Sequence, residues 1–287
     1  MTLRDGTSTS ADLPALAQVR GTTRMQAYLR DLGFHQDAEW WSPDAMVETL
    51  ATRRVTDWDV LASIERDWGG LLSRTARQVG LGPSWIFAHE RELREKGHGR
   101  VEPPDVASPA WPWIARAGVE LCLVAAWDER GDHDGMVDRA GAVYLWDEEF
   151  GELSHRADSI LAMFEKRALS AEVNRAWGSL TRLSIDVDDA AGLALHFGVA
   201  RVVEASDGAG AEYVGPGVWV RSRAAFLGRR ARTEIVARRV DDTVSAAQWL
   251  RDRWPDRRLS IRTDLSEGWQ RFEALRDAGV ADVCETR

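Results

Sequence analysis

Lysine and cysteine are nearly missing from this 287-residue chain: Lys96 and Lys166 are the only lysines, Cys122 and Cys284 the only cysteines. Neither cysteine stands at a metal-like or redox-like spacing, which excludes a disulfide framework, a zinc knuckle and a thioredoxin-type pair, so both read as buried or incidental thiols. No apolar run approaches the ~20 residues of a membrane span. The opening MTLRDGTSTSADLP lacks the hydrophobic centre of a secretory signal, so the expected location is the cytoplasm, away from any membrane.

Catalytic and metal signatures are missing as well. There is no Gly-x-Ser-x-Gly elbow, no phosphate loop ending in Gly-Lys-Ser/Thr, and no Gly-x-Gly-x-x-Gly following a strand. His89-Glu90 has Leu93 where a zinc protease needs its second histidine. Asp132-His133-Asp134-Gly135 resembles a calcium loop, but aligning Gly135 with that loop's invariant glycine puts Arg130 at the first ligand position and Gly141 at the last. The expectation is therefore no metal, no cofactor and no enzymatic activity. Paired carboxylates at Asp128-Glu129 and Asp147-Glu148-Glu149 serve acid–base chemistry only where their surroundings split their pKa values.

What is present is 44% hydrophobic residues, 29% charged residues and 14 tryptophans. That length and composition fit two domains. Residues 1–12 read as a mobile arm, 13–177 as a first domain and 178–287 as a second. Charge is segregated between them. Residues 110–165 hold 12 acids and 4 arginines, a net charge of −8, whereas residues 215–262 hold 12 arginines and 5 acids, a net charge of +7.

The segment 110–168 organises the chain. Val119–Trp127 is an almost unbroken apolar run with the length of a strand buried on both faces. Residues 128–138 read as an acidic connection, residues 141–146 (GAVYLW) as a second strand, residues 147–151 as a turn, and residues 158–169 as a closing helix that 171–177 extend. Upstream, Thr22 or Thr23 caps a helix reaching Leu32. Ser42-Pro43-Asp44 opens another, and a third runs from near Thr56 to Gly69-Gly70. Residues 85–96 read as a strand entering a charged helical segment, and the proline-rich 101–112 as an irregular connection. Beyond residue 178 the pattern is strand (183–187), helix (188–197), extended segment (199–205), strand (218–220), strand (233–240), helix (242–254), strand (258–262) and helix (264–278). The predicted class is α+β: N-terminal helices on a mostly antiparallel sheet, followed by a smaller α/β or α+β domain.

An apolar strand, an acidic turn, the strand Gly141-Ala-Val-Tyr-Leu-Trp-Asp147 and a helix opening Ala157-Asp-Ser-Ile-Leu-Ala-Met-Phe164 together resemble the SUKH superfamily. Glu65-Arg-Asp-Trp-Gly-Gly-Leu-Leu-Ser73 is similar to that family's upstream Glu-x-x-apolar-Gly signature, with Trp68 where an aliphatic residue is usual and Ser73 where proline is common. The resemblance covers about the first 170 residues. It implies a non-enzymatic immunity protein that occludes a cognate bacterial toxin domain, a basic protein such as a nuclease.

The docking residues expected on that basis are Trp127, Asp128, Glu129, Asp132, Asp134, Asp138, Trp146, Asp147, Glu148, Glu149 and Glu152. Carboxylates supply the field that attracts a basic partner, and tryptophan beside charge is the mix of interface anchors. The same acidity repels nucleic acid, which is not expected as a partner. The arginine-rich stretch 221–239 is placed to pair with the acidic unit, inside the molecule or across a homodimer, or to serve as the second contact face of a regulatory adaptor.

Overall fold

The computed structural model describes residues 15–36, 44, 47, 48, 51, 58–73, 80, 81, 112–127, 133–147, 151–177, 181–263, 273, 276 and 277. The chain is α+β, with antiparallel sheets. It forms two compact units, one of residues 1–154 with 159–161 and one of residues 155–158 with 162–287.

The first unit begins with α1 (Ala15–Arg20) and α2 (Thr23–Asp31). Thr22 caps α2 by accepting from the Met25 amide at 3.1 Å, and Met25 and Leu29, one turn apart, are fully buried. Gly33, at φ 65°, provides the left-handed residue that ends the helix. After β1 (Phe34–Gln36), α3 (Asp59–Trp68) buries Leu61, Ile64 and Trp68 on one stripe. Glu65 is also fully buried, and a Cβ at Gly69 would sit 2.3 Å from its Oε1. That close approach demands glycine at position 69. The helix read from Ser42 is described only at Asp44, Val47, Glu48 and Ala51, all helical, and the readings of residues 1–12 and 85–96 and most of 101–112 lie outside the described residues.

The eight-stranded sheet contains β1, β2 (Leu71–Ser73), β3 (Gly80–Leu81), β4 (Ile114–Arg116), β5 (Val119–Trp127), β6 (His133–Val137), β7 (Val143–Asp147) and β8 (Glu152–Ala157). Its order is β1-β2-β3-β5-β6-β7-β8, with β4 paired to β5. β5 matches the expected central strand residue for residue. Cys122 within it is buried, which pushes its thiol well above the ordinary range and leaves it unreactive.

The sequence reading assigned no strand at β1 to β4, β6 or β8. The 128–138 connection contains β6, whose short apolar part, Met136 and Val137, is fully buried between β5 and β7 while its polar start resembles a turn. β8 occupies residues read as leading directly into the helix, and only Leu153 and Ala157 in it are buried.

The helix that follows, α4 (Ile160–Trp177), was expected to close the first domain. From Ala162 onward it groups with the second unit. Leu169, Val173 and Trp177 pack with Trp219 and Val236, so its apolar stripe is used there.

The second unit continues as β9 (Thr181–Ile185), α5 (Ala190–Phe197), β10 (Ala200–Arg201), β11 (Glu212–Gly215), β12 (Val218–Arg223), β13 (Arg232–Ala237), α6 (Val240–Arg253) and β14 (Leu259–Thr263). The final helix read over 264–278 is described only at Glu273, Arg276 and Asp277, all helical. The sheet order β10-β11-β12-β13-β9-β14 inserts β9 between two strands that α6 joins. This is the split β-α-β arrangement of ferredoxin-like folds, enlarged by the β10–β11 edge.

Strand alternation decides what each face of this sheet carries. One rung reads Tyr213, Val220, Ile235, Leu183 and Ile261, and it packs under α5 and α6 with Leu193, Ala246, Ala247 and Leu250. The adjacent rung reads Glu212, Arg221, Glu234, Ser184 and Ser260. Apolar helices cover one face, and α4 covers the apolar part of the other.

Candidate functional site

Antiparallel pairing brings together two acidic runs that are separate in sequence. β5 leaves the sheet at Trp127, β6 enters at His133, β7 leaves at Asp147, and β8 enters at Glu152. The register places Trp127 opposite His133 and His133 opposite Asp147, with Ala126, Asp134 and Trp146 on the next rung. The connections 128–132 and 148–151 therefore spring from the same end of the sheet. Strands about 4.8 Å apart put their origins within about 10 Å of each other.

Trp127, Asp134, Trp146 and Asp147 hold the last two rungs at this end, and Glu152, which is exposed, opens the neighbouring strand. Asp128, Glu129, Asp132, Glu148 and Glu149 lie in the two connections, outside the described residues. Trp146 is half-buried, with the Arg116 guanidinium 5.7 Å from its ring centre. That cation–π contact fixes the indole at the sheet end.

Asp138 stands apart. It lies in the β6–β7 turn, at the opposite end of the hairpin, and its carboxylate is used locally. Oδ1 accepts from the amides of Ala140 (2.9 Å) and Ala142 (3.0 Å), and Oδ2 accepts from the Tyr144 hydroxyl (3.0 Å). Sequence proximity to the acidic run placed it with the docking residues; hairpin geometry places it in a turn lock. Glu120 is likewise engaged, accepting from Arg139 Nε at 2.9 Å, while the Arg139 guanidinium lies 4.7 Å from the Trp113 ring centre.

No family model, curated protein or solved structure matches the chain.

The second unit carries a polar network that sequence reading did not single out. Glu212, 6% exposed, accepts from Trp219 Nε1 at 2.6 Å. Burial pushes its carboxyl up to about 7, against the lowering influence of Arg221, of the Trp219 hydrogen bond and of Lys166. Glu234, on the next strand but one, takes the opposite course. Burial alone would raise it, but the charge and hydrogen bond of Arg221 outweigh that and hold it below the ordinary carboxylate range. Arg221 donates Nε to Glu234 Oε2 at 2.8 Å, and Arg182 lies 3.9 Å from the other oxygen. The Arg221 guanidinium also sits 4.8 Å from the Trp219 ring centre.

A sequence signal for this network existed. Residues 212 and 221 are equidistant from Pro216-Gly217, so a two-residue hairpin at that pair sets acid against arginine across the strands. Among the described residues, no cluster of histidine, cysteine and carboxylate side chains is suited to a metal ion. No helix among them is long and apolar enough to cross a membrane.

Proposed function

We propose that this chain is a cytoplasmic, non-enzymatic immunity-type protein of SUKH-like character, which neutralises a basic bacterial toxin domain by docking the acidic end of its first sheet against it. The feature that supports the reading is the register that sets Trp127, His133 and Asp147 in line at one end of the β5–β6–β7 meander, where the acidic segments 128–132 and 148–150 follow in the chain. Asp134 and Asp147 hold the last rungs at that end, Glu152 opens β8, and Asp128, Glu129, Asp132, Glu148 and Glu149 stand in the adjoining sequence, with Trp127 and Trp146 as the expected anchors. Like charges held together repel one another, and a basic partner relieves that cost. For a nuclease toxin, the carboxylates stand where substrate phosphates would lie.

The test is association with a basic toxin domain encoded beside this gene. Tight binding that weakens with salt, and survival of cells producing the toxin, are expected. Neutralising Glu148, Glu149 and Asp128 together to the amides should weaken binding at least tenfold, chiefly through slower association. Binding unchanged by the triple substitution would remove the acidic end from the interface.

A further inference from the structure

Only His196 is polar among the eight residues of α5. A helix lying on a sheet needs one apolar stripe, and α5 has it: Ala190, Leu193 and Ala194 are buried, with Ala190 and Leu193 packed in the core that holds Val220 and Leu250. The outward side carries no polar residue in exchange. Ala191 and Leu195, one helical turn apart, are both exposed there, Leu195 to 82%. A helix that is apolar all round is one that is covered all round.

A single exposed leucine is ordinary on a protein surface. This one stands in a wider apolar and aromatic surface. The exposed ring of His196, next to Leu195 in the chain, stacks on the half-buried ring of Trp249 from α6, with centroids 5.8 Å apart and planes inclined by 29°. Gly192 lets that indole come against the helix: a Cβ there would lie 3.2 Å from Cη2 of Trp249. Ala191 and Gly192 are therefore a low point on the helix surface, and Leu195 is a high point one turn further on.

The charges at the two ends of α5 differ in sign. Asp186 and Asp188 precede the helix, and Arg201 follows it on β10, paired in register with Tyr213, which packs on the α5 side of the sheet. All three charged residues are exposed, and none has an ion-pair partner among the described residues. Asp189, by contrast, is taken up by Arg253 and by the indole N–H of Trp254.

A surface with a high point and a low point one turn apart, acids at one end and arginine at the other, complements itself when rotated by a half turn. We infer that α5 is a self-association surface, on which a second copy of this chain lays its own α5 antiparallel. Leu195 of each copy seats on Ala191 and Gly192 of the other, beside the Trp249 ring, and the acids at the start of each helix meet Arg201 of the other copy. One helix per copy covers less than the roughly 800 Å² per partner of a standard interface, so the dimer forms and dissociates with concentration. The surface belongs to the second unit and does not use the acidic sheet end of the proposed function.

Sedimentation velocity of the full-length protein over a range of concentrations tests this. The mass should rise from the 32.0 kDa of one chain toward twice that value. Leu195→Ser should raise the dissociation constant at least tenfold, whereas Val19→Ser, equally exposed in the first unit, should leave it unchanged. Ala191→Glu, at another exposed position, should act as Leu195→Ser does and decides the matter if that variant folds poorly. Asp188→Arg and Arg201→Asp should each weaken the dimer, and the two together should restore it, because the same pairs then meet with their signs exchanged. A single-chain mass at every concentration, a dimer indifferent to Leu195→Ser and Ala191→Glu, or a charge exchange that restores nothing would overturn the assignment. A chain that stays monomeric and loses affinity for the toxin domain through Leu195→Ser would also overturn it, giving the surface to a foreign protein.

Discussion

The indole Nε1 of Trp219 donates to Oε2 of Glu212 at 2.6 Å, joining a fully buried aromatic ring to a carboxyl that burial has raised to about 7. The pair sits diagonally across the β11–β12 hairpin, where strand register alone brings the groups within reach. It anchors an alternating run of acid, arginine and acid across three strands.

A raised carboxyl pKa makes the folded state hold its proton more tightly than the unfolded chain does. The stabilisation from Glu212 is therefore complete below its ordinary value of 4.5 and is lost as pH rises from there to about 7. Glu212→Gln keeps an acceptor for Trp219 and carries no charge to desolvate. It should match wild type near pH 4 and exceed it at pH 8 by up to about 3 kcal/mol, from about 1.36 kcal/mol per pKa unit. Denaturant unfolding at several pH values checks this, and parallel profiles for the two proteins would contradict it.

Glu234 works in the opposite direction. Its folded-state pKa is depressed, so its contribution is present above the ordinary carboxylate range and is lost as pH falls through the folded value. Arg221→Met leaves this 12% exposed carboxylate with the charge of Arg223 and with Arg182 at 3.9 Å, and should cost about 3 kcal/mol. Arg221→Met combined with Glu234→Leu should recover most of that loss. A double-mutant cycle in urea measures the coupling, and additive effects would show that the two side chains do not depend on each other.

Asp138→Ala removes one acceptor for two amides and the acceptor of the Tyr144 hydroxyl. A loss of about 1–3 kcal/mol in unfolding free energy is expected. Partner binding should be unchanged once folding is complete, which separates this turn lock from the carboxylates at the other end of β6 and β7.

Leu227 adopts φ 48° and Gly228 φ 80° in the tight turn closed by hydrogen bonds between Phe226 and Arg229. Both central residues of such a turn are left-handed, which suits asparagine and glycine and strains leucine. Leucine is also 48% exposed here, so little packing is lost on its replacement. Leu227→Asn should raise the unfolding free energy by about 0.5–1 kcal/mol, measurable by thermal or urea unfolding. A destabilised variant would mean that the leucine side chain holds the hairpin tip.

Local signals made much of the fold readable. Thr22 followed by an apolar stripe and then Gly33 marked α2, and the unbroken run Val119–Trp127 marked β5 at both ends. β6 was hidden because two buried residues, Met136 and Val137, give too short a period to distinguish a strand from a turn. β8 was hidden because only Leu153 and Ala157 in it are buried. At the candidate site, the tryptophans and acids were visible as composition, but their separation into a sheet end and a turn lock was not, since Asp138 differs from Asp134 only in the end of the strand on which it falls.

Sequence by itself determined the α+β character, the principal helices and strands, and the concentration of acid in one segment and arginine in another, because caps, glycines and hydrophobic period act over a few neighbouring residues. Tertiary structure decided that α4 turns its apolar stripe to Trp219 and Val236, that Glu212, Arg221 and Glu234 share a rung, and that Arg223 faces Arg232. Those outcomes depend on which distant strands pair and in what register, and a shift of a single residue would turn every one of these side chains to the opposite face.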